Sequence, residues 1–279
     1  MSEPVIAEIF IIGNEILIGD IQDTNTHWLC KEINGLGGRV ARVTVLRDVA
    51  EVIAAEVKAA LVRGAEVIIT SGGLGPTADD LTLAAVAQGA GAELRLHDRA
   101  LRMVRERYDE LTAQGVLTQG GLNPAREKMA WLPAGAEPLH NPVGTAPGVL
   151  FRTGGSVIVS LPGVPSELKG IFGSSLQPFL LETFRGGTAV SRTITVACND
   201  ESLMEPVLSR VVADHPSIYI KSLARTLGET GEIDITLTTV GSDRCSLDPL
   251  VAAAVRDLQE GLDALGIGHR EKRGADDIF

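Results

Sequence analysis

The stretch Thr70-Ser71-Gly72-Gly73-Leu74-Gly75-Pro76-Thr77-Ala78-Asp79-Asp80-Leu81-Thr82 joins a short apolar run to a helical pattern. Residues 67–69 predict a buried strand, and the spacing of apolar residues over 83–90 predicts a helix. A glycine-rich turn between a strand and a helix directs several backbone N–H groups into one concavity, and the helix N-terminus adds partial positive charge there. The stretch therefore predicts a site for a phosphate or a pyrophosphate.

Two aspartates, Asp79 and Asp80, follow these glycines. Their charge would repel a bare phosphate, so they favour a hard divalent cation held beside the ligand. The same features also occur without a ligand, because glycine-rich turns serve as plain connections and aspartate in a first helical turn compensates the helix dipole. The spacing fits neither the dinucleotide pattern G-x-G-x-x-G nor the P-loop, since no lysine follows the glycines.

Composition limits the classes of partner. The 279 residues carry a formal net charge of -11, which argues against nucleic acid and anionic membranes, because an extended phosphate surface is bound by basic stripes. No apolar run reaches the length of a membrane span. The three cysteines, Cys30, Cys198 and Cys245, are far apart, which indicates a reducing compartment and predicts a cytoplasmic protein without disulfides.

Strand and helix patterns alternate through the first part of the chain. Apolar runs at 5–12 and 40–46 predict strands before the one at 67–69, with helical patterns between them. This order predicts right-handed parallel crossovers and a three-layer α/β domain, whose ligands bind outside the carboxyl ends of the strands. Residues 13–15, Asp48 and residues 72–80 should therefore lie along one rim.

Two later loops are also candidates for the site. Residues 140–148 hold Asn, Thr, Gly and Pro between predicted strands, which is typical of a rigid, donor-rich loop, although the segment could also be a linker. Residues 162–168 lead from a predicted strand into a helix with Ser166 as a candidate N-cap. This turn is compatible either with simple capping or with a second helix start that faces an anion.

The character of the chain changes around residue 186. From there the pattern predicts a small α+β unit in the order β-α-β-β-α, followed by a polar tail. The motif Gly228-Glu229-Thr230-Gly231 has the G-x-x-G spacing of KH domains. Because the motif is acidic and joins two predicted strands, a hairpin turn explains it better than RNA binding.

Five motifs in this order carry a resemblance to a known family. They are Gly13-Asn14-Glu15-Ile16-Leu17, Asp23-Thr24-Asn25, the stretch from Gly72 to Thr82, Asn141-x-x-Gly144-Thr145-Ala146-Pro147-Gly148 and Leu161-Pro162-Gly163-x-Pro165-Ser166-Glu167. Together they resemble the competence/damage-inducible protein A (CinA) family and, more broadly, the molybdopterin-binding (molybdenum cofactor biosynthesis) superfamily. One departure is Asn14, which stands where threonine is commoner in the family.

The resemblance implies a domain organisation. It implies a three-layer, Rossmann-like molybdopterin-binding domain with a mostly parallel sheet over residues 1–185. A small KH-type α+β domain over 186–265 and a flexible tail over 266–279 follow. It also implies that the nicotinamide mononucleotide deamidase domain of longer family members, and its activity, are absent here.

The activity that the resemblance then implies is hydrolysis of ADP-ribose to AMP and ribose 5-phosphate, with Mg²⁺ or Co²⁺ and possibly K⁺ as cofactors. The alternatives are a molybdopterin-binding protein of molybdenum cofactor biosynthesis and a non-catalytic nucleotide-binding module. In each case the partner is a small-molecule nucleotide or pterin phosphate. The resemblance also implies a homo-oligomer, with a dimer favoured.

The predicted site combines the residue patterns with this resemblance. Asp48, Asp80 and Glu15 are the candidate catalytic residues, and Asp48, Asp79 and Asp80 are the candidate metal ligands. The candidate phosphate and nucleotide contacts are Gly72, Gly73, Gly75, Pro76, Thr77, Asn25, Asn141, Gly144, Thr145, Gly163 and Ser166.

Overall fold

The structure is a computed structural model that describes residues 5–184, 188–198, 200–224, 231–241 and 243–272. By its internal contacts the chain divides into two units. Residues 5–34 and 38–184 belong to the larger unit, and the described residues from 188 onward belong to the smaller one. Each unit has a hydrophobic core of its own. None of the described helices is long and apolar enough to cross a membrane.

The larger unit alternates strands and helices. Its strands are β1 (Ile6–Ile12), β2 (Arg39–Leu46), β3 (Val67–Ser71), β4 (Leu94–Leu96), β5 (Trp131–Pro133), β6 (Glu137–Leu139), β7 (Gly148–Thr153) and β8 (Ser156–Leu161). Its helices are α1 (Asn14–Leu17), α2 (Asn25–Gly35), α3 (Ala50–Arg63), α4 (Thr82–Ala90), α5 (Asp98–Ala113), α6 (Pro124–Lys128), α7 (Pro165–Ile171) and α8 (Gln177–Thr183). A π-helical segment, Phe172–Leu176, connects α7 to α8.

The main sheet of the larger unit has the strand order β2-β1-β3-β8-β7-β6 in the described residues. The first four strands in this order are parallel neighbours, whereas β7 and β6 are antiparallel additions. The predicted α/β class with a mostly parallel sheet is therefore confirmed. Because the four parallel strands point the same way, the segments that follow β1, β2, β3 and β8 all leave from one edge of the sheet.

The centre of this sheet is apolar on both faces. All five residues of β3 are buried, and β1 is buried except at its first residue. Continuous apolar runs of this kind suit parallel strands that are covered by helices on both sides. The charged exception is Glu8 in β1, whose two carboxylate oxygens accept hydrogen bonds from Arg63 at 2.9 and 2.6 Å.

The smaller unit confirms the predicted α+β order. Its described elements are β9 (Thr188–Val196), a 3₁₀ turn (Glu201–Leu203), α9 (Glu205–Asp214), β10 (Tyr219–Ala224), β11 (Ile233–Gly241), α10 (Arg244–Ala264) and β12 (His269–Glu271). The strands form an antiparallel sheet in the order β10-β11-β9-β12. Residues 228–230 of the G-x-x-G motif lie outside the described residues.

One element of the smaller unit differs from the sequence prediction. Residues 269–271, which the sequence assigns to a flexible tail, form β12 and pair with Ile194, Thr195 and Val196 of β9. The prediction fails here because β9 has a free edge whose backbone groups need partners, and a polar segment can supply them as well as an apolar one. Residues 273–279 of the predicted tail lie outside the described residues.

Candidate functional site

Gly72 sets the path of the loop that follows β3. Its φ is +114°, in a region that favours glycine. A Cβ at this position would lie 2.0 Å from the carbonyl oxygen of Ile12, at the end of the neighbouring strand β1. The Gly72 N–H donates to the carbonyl of Leu161 at 2.9 Å. Gly72 therefore serves as the point of closest backbone approach, and its N–H is used inside the fold and not offered to a ligand.

The next three residues carry the available donors. Within the described residues, the N–H groups of Gly73, Leu74 and Gly75 have no acceptor. Thr82, at the start of α4, holds this loop through its hydroxyl, which donates to the Gly72 carbonyl at 2.7 Å, and through its N–H, which donates to the Gly73 carbonyl at 3.2 Å. Of the predicted phosphate site in this loop, only residues 73–75 therefore offer backbone donors to a ligand.

Thr77 closes the loop on its acidic side. Its N–H and hydroxyl donate to Oδ2 of Asp80 at 2.8 and 2.6 Å, and its hydroxyl also lies 2.5 Å from Oδ1 of Asp79. The Thr77 hydroxyl is the main reason that the pKa of Asp79 lies below its usual value. The ammonium of Lys128, on α6, donates to the Thr77 carbonyl. Lys128 was not identified from sequence, because it is distant in the chain and belongs to none of the motifs.

Asp48 and Glu15 follow β2 and β1. Oδ2 of Asp48 accepts a hydrogen bond from the N–H of Asn14 at 2.7 Å, so the two segments are joined at the rim of the sheet. Glu15 folds back over Gly13, where an added Cβ would lie 2.4 Å from Oε1 of Glu15. Both carboxylates stand at the carboxyl ends of parallel strands, as predicted.

Asn25, the first residue of α2, is buried and connects the ends of two strands. Its amide Nδ2 donates to the hydroxyl of Ser71 at 3.1 Å and to the carbonyl of Gly163 at 2.7 Å. Its Oδ1 is buried and has no hydrogen-bond partner within the described residues. A Cβ at Gly163 would lie 3.4 Å from Cα of Gly72, so the turn after β8 packs against the glycine loop.

Asn141 organises the second loop from within. Its Oδ1 accepts from the N–H groups of Val143 and Gly144, and its Nδ2 donates to the carbonyl of Ala146 and to Oε2 of Glu167. These bonds use the donor and acceptor atoms of the side chain, which is buried. Asn141, predicted as a ligand contact, therefore holds the loop together.

The structure adds Arg107, which the sequence analysis did not single out, to this part of the site, and it corrects the prediction for Ser166. Arg107, which lies on the charged face of α5, donates to the carbonyls of Val143 and Gly144 at 2.7 and 3.0 Å and so fastens the second loop. Ser166 is not the N-cap of α7, because the helix begins at Pro165 with Val164 as its N-cap and without a side-chain cap. A proline at the first helical position needs no N–H partner, which lets α7 begin two residues earlier than predicted.

These segments enclose one cleft of about 510 Å³. Its lining includes most of the predicted site residues, namely Glu15, Asn25, Asp48, Gly72, Gly73, Gly75, Pro76, Asp79, Asp80, Thr145 and Gly163. The predicted residues outside the lining are Thr77, Asn141, Gly144 and Ser166. Glu167 lines the cleft, although the sequence analysis gave it no role. Its place in the motif that begins at Leu161 and contains Gly163 could have suggested it.

The cleft does not contain a complete metal site made by protein alone. Among the described residues no three His, Cys, Asp or Glu side chains are grouped closely enough to hold a metal ion. Asp48 and Asp80 each have one oxygen, Oδ1, that accepts no hydrogen bond from a described residue. Two hard oxygen donors of this kind fit a Mg²⁺ ion, which takes one or two protein carboxylates and completes its shell with phosphate oxygens and water.

Comparisons with known proteins agree with this geometry. Residues 8–182 match the MoCF_biosynth family, described as the probable molybdopterin binding domain. A protein of Aeropyrum pernix is 46% identical over 222 residues, which are 80% of this chain and 80% of that protein. A protein of Pyrococcus horikoshii is 38% identical over 208 residues, 75% of this chain and 80% of that one. The chain belongs to this family of probable molybdopterin binding domains.

A solved structure supports the same assignment. The protein CinA with unknown function, from Thermoplasma acidophilum, is 34% identical, and the match covers 63% of this chain and 98% of that chain with a TM-score of 0.56. The larger unit is therefore a molybdopterin-binding-like α/β domain, and the chain is structurally similar to a CinA protein. The predicted KH character of the smaller unit stays a prediction.

Proposed function

We propose that the cleft binds a molybdopterin-type ligand, meaning a pterin that carries a phosphate, and that the chain acts as a molybdopterin-binding protein in molybdenum cofactor biosynthesis. The family to which residues 8–182 belong supports this proposal. The observation that carries it is the set of three available N–H donors at Gly73, Leu74 and Gly75, residues that line a cleft large enough for a pterin.

The walls of the cleft suit the two parts of such a ligand. The glycine loop provides backbone donors for a phosphate, and the start of α4 adds partial positive charge. Apolar lining at Ile16, Ile21 and Val164 offers contact area for a flat ring. A phosphate at residues 73–75 would lie in the same cleft as Asp48 and Asp80, so its binding requires a cation to offset their charge.

The cation in this proposal is a divalent metal ion, Mg²⁺ or Co²⁺, with K⁺ as a further ion. Asp48 and Asp80 would hold it through their available oxygens, with Asp79 nearby on the loop. Bound there, a divalent ion supplies charge neutralisation at phosphorus and lowers the pKa of a bound water.

A second candidate function is hydrolysis of a nucleotide pyrophosphate, with ADP-ribose converted to AMP and ribose 5-phosphate. The observation that favours it is the number of acids in the cleft, since Glu15, Asp48, Asp79 and Asp80 exceed what binding a phosphate needs. In this candidate, Glu15 orients the attacking water, and the donors at Gly73 and Gly75 stabilise charge on the pyrophosphate.

Calorimetric titration with 6-hydroxymethylpterin monophosphate, in Mg²⁺ and then in chelator, tests the first candidate. We expect saturable binding that Mg²⁺ strengthens. Asp80→Asn keeps an oxygen for the Thr77 bonds but removes the charge, and it should abolish the Mg²⁺ effect. The matched control is Asp98→Asn, an exposed aspartate at the start of α5 outside the cleft, which should bind like the wild type.

The second candidate is tested by incubating the same proteins with ADP-ribose and Mg²⁺ or Co²⁺ and separating the products by chromatography. AMP that forms with the wild type and disappears with chelator and in Asp80→Asn would establish hydrolysis. If the wild type hydrolyses ADP-ribose but does not bind the pterin probe, the second function replaces the first. Binding without turnover would leave the first function alone.

A further inference from the structure

Two acidic side chains of the cleft, Asp23 and Glu167, have no part in either candidate function. Both carboxylate oxygens of Asp23 accept hydrogen bonds from Thr26, whereas Glu167 keeps an oxygen available. Glu167 stands in the first turn of α7, is half-buried, and lines the cleft together with Thr145 and Ala146. Its Oε2 accepts a hydrogen bond from Nδ2 of Asn141 at 2.8 Å. Its Oε1 accepts none from the described residues, so the carboxylate has acceptor capacity left for a ligand.

The position of this carboxylate is fixed by two contacts. Asn141 is buried and is itself held by Val143, Gly144 and Ala146, so the amide that binds Glu167 cannot turn away without breaking the loop. On the other side the carboxylate rests on Gly144, where an added Cβ would lie 1.9 Å from Oε2. A carboxylate that is oriented in this way is a selective acceptor, because a ligand must bring its donors to it.

The chemistry of a fixed carboxylate favours one kind of ring. The 2-amino-4-oxo-pyrimidine edge of a pterin presents two neighbouring donors, the 2-amino group and the ring N–H, which can pair with two carboxylate oxygens. Adenine presents an acceptor nitrogen beside its amino group, so one carboxylate oxygen would face a lone pair. A buried polar group left without its partner is costly, which makes such a site discriminating.

We propose that Glu167 is the specificity-determining residue of the cleft and recognises the 2-amino-4-oxo edge of a pterin. Asn141 and Gly144 are the positioning residues that hold its carboxylate towards the ligand. This inference rests on the proposed pterin function and adds to it a means of selecting a pterin over an adenine nucleotide.

The test compares two ligands and two proteins by calorimetry. The ligands are 6-hydroxymethylpterin monophosphate and 6-hydroxymethyllumazine monophosphate, in which an oxo group replaces the 2-amino group. The wild type should prefer the pterin on the order of 10- to 100-fold, as expected for a charge-assisted hydrogen-bonded pair. Glu167→Gln keeps an oxygen for Asn141 but turns an amide donor towards the ligand donors, so the preference should be lost. Binding of inorganic pyrophosphate should stay unchanged.

Gly144→Ala tests the positioning without changing any charge. The backbone of Gly144 is outside the left-handed region, and the added methyl meets the end of a flexible side chain, so the protein should fold while the Glu167 carboxylate moves. We expect the preference for the pterin to fall while the melting temperature stays close to that of the wild type. The control is Gly173→Ala, where an added Cβ meets no atom within 4 Å and the preference should stay.

The outcomes separate the two proposals. If the wild type binds both pteridines equally, or if Glu167→Gln keeps the preference, the inference about Glu167 is overturned and the pterin function stands. If the wild type binds pyrophosphate but neither pteridine, the pterin function itself is overturned, and the inference fails with it.

Discussion

The loop after β3, residues 72–81, and the loop before β7, residues 140–147, both contribute to the cleft but use their polar groups in opposite ways. In the first loop, side chains bond to one another and leave backbone donors available at residues 73–75. In the second loop, Asn141 takes up the backbone donors of Val143 and Gly144. The first loop can therefore bind an anion directly, whereas the second acts through the side chains that it positions.

This difference shows what a motif by itself leaves open. Both loops contain glycine and proline, and the sequence predicts donors for a ligand in both. A loop is available to a ligand only if its donors have no acceptor inside the protein, and that can be decided only by following each hydrogen bond. The comparison can be tested by breaking each loop separately.

The largest effect is expected for Gly72→Ala in the first loop. The φ of +114° disfavours alanine, and the added Cβ would lie 2.0 Å from a backbone oxygen that cannot move aside. Backbone strain and steric overlap together should lower the free energy of unfolding by about 3–5 kcal/mol. Chemical denaturation followed by circular dichroism measures this change.

Gly115→Ala is the matched control for this experiment. Its φ of +74° carries a conformational cost, but an added Cβ meets no atom within 4 Å. Gly115→Ala should lower the free energy of unfolding by only about 1 kcal/mol. The difference between the two variants then gives the cost of the steric overlap at Gly72. Equal effects of the two variants would show that the close approach to Ile12 does not matter.

Asn141→Ala breaks the second loop. The change removes the partner of the N–H groups of exposed Val143 and half-buried Gly144 and of the carbonyl of buried Ala146. We expect a loss of about 2–3 kcal/mol in the free energy of unfolding, together with loss of the Glu167 preference described above. Hydrogen exchange of the 143 and 144 amides should speed up. Unchanged exchange there would contradict the role given to Asn141.

Thr82→Val tests whether the hydrogen bond from the Thr82 hydroxyl to the Gly72 carbonyl stabilises the glycine loop. Valine has nearly the same shape, but it cannot donate to the Gly72 carbonyl, which then stays buried without this bond. The expected loss is about 1–2 kcal/mol in denaturation, and binding of inorganic pyrophosphate should weaken as well. Thr82→Ser restores the hydroxyl and should recover most of the binding. If serine behaves like valine, the methyl group of Thr82 and not its hydroxyl holds the loop.

A smaller effect is expected for Arg107→Ala, because the loss is limited to two hydrogen bonds to the second loop and one to Glu110, all from a partly exposed side chain. We expect about 1 kcal/mol in thermal denaturation. Arg105→Ala, an exposed change on the same helix, is the control and should have no measurable effect. A similar melting temperature for the two variants would mean that Arg107 does not fasten the second loop.

The smallest effect concerns Asp79 in the first loop. Its pKa is lowered chiefly by the Thr77 hydroxyl, then by its own backbone N–H, with a weaker contribution from Lys128. A lowered folded-state pKa stabilises the fold above the unfolded-state pKa, and this contribution disappears as the pH falls through the folded-state value. Thr77→Val should therefore raise the pKa of Asp79 in an NMR titration. Thr112→Val, on α5, should leave it unchanged, and a shift there would point to a global change.

Much of the larger unit could be predicted from the sequence because its signals are local. The apolar runs of β1 and β3 and the glycine turn after β3 lie in continuous segments, so periodicity and turn chemistry identify them. The rule that parallel strands expose their carboxyl ends at one edge then brought Glu15, Asp48 and Asp80 to one cleft. The role of Asn141 depends on its side chain facing into its own loop, and the N-cap of α7 depends on the residue at which the helix begins; spacing specifies neither.

The sequence by itself determined the α/β class, the mostly parallel sheet and the region of the cleft, because hydrophobic periodicity and glycine turns act over a few residues. Only the tertiary structure decided which groups in that cleft are available. Gly72 and Thr77 lose their N–H groups to Leu161 and Asp80, while Gly73 and Gly75 keep theirs. Lys128, Arg107 and Glu167 reach the two loops from distant parts of the chain. Hydrogen-bond partners far apart in sequence meet only when the sheet is complete, so no local pattern could reveal them.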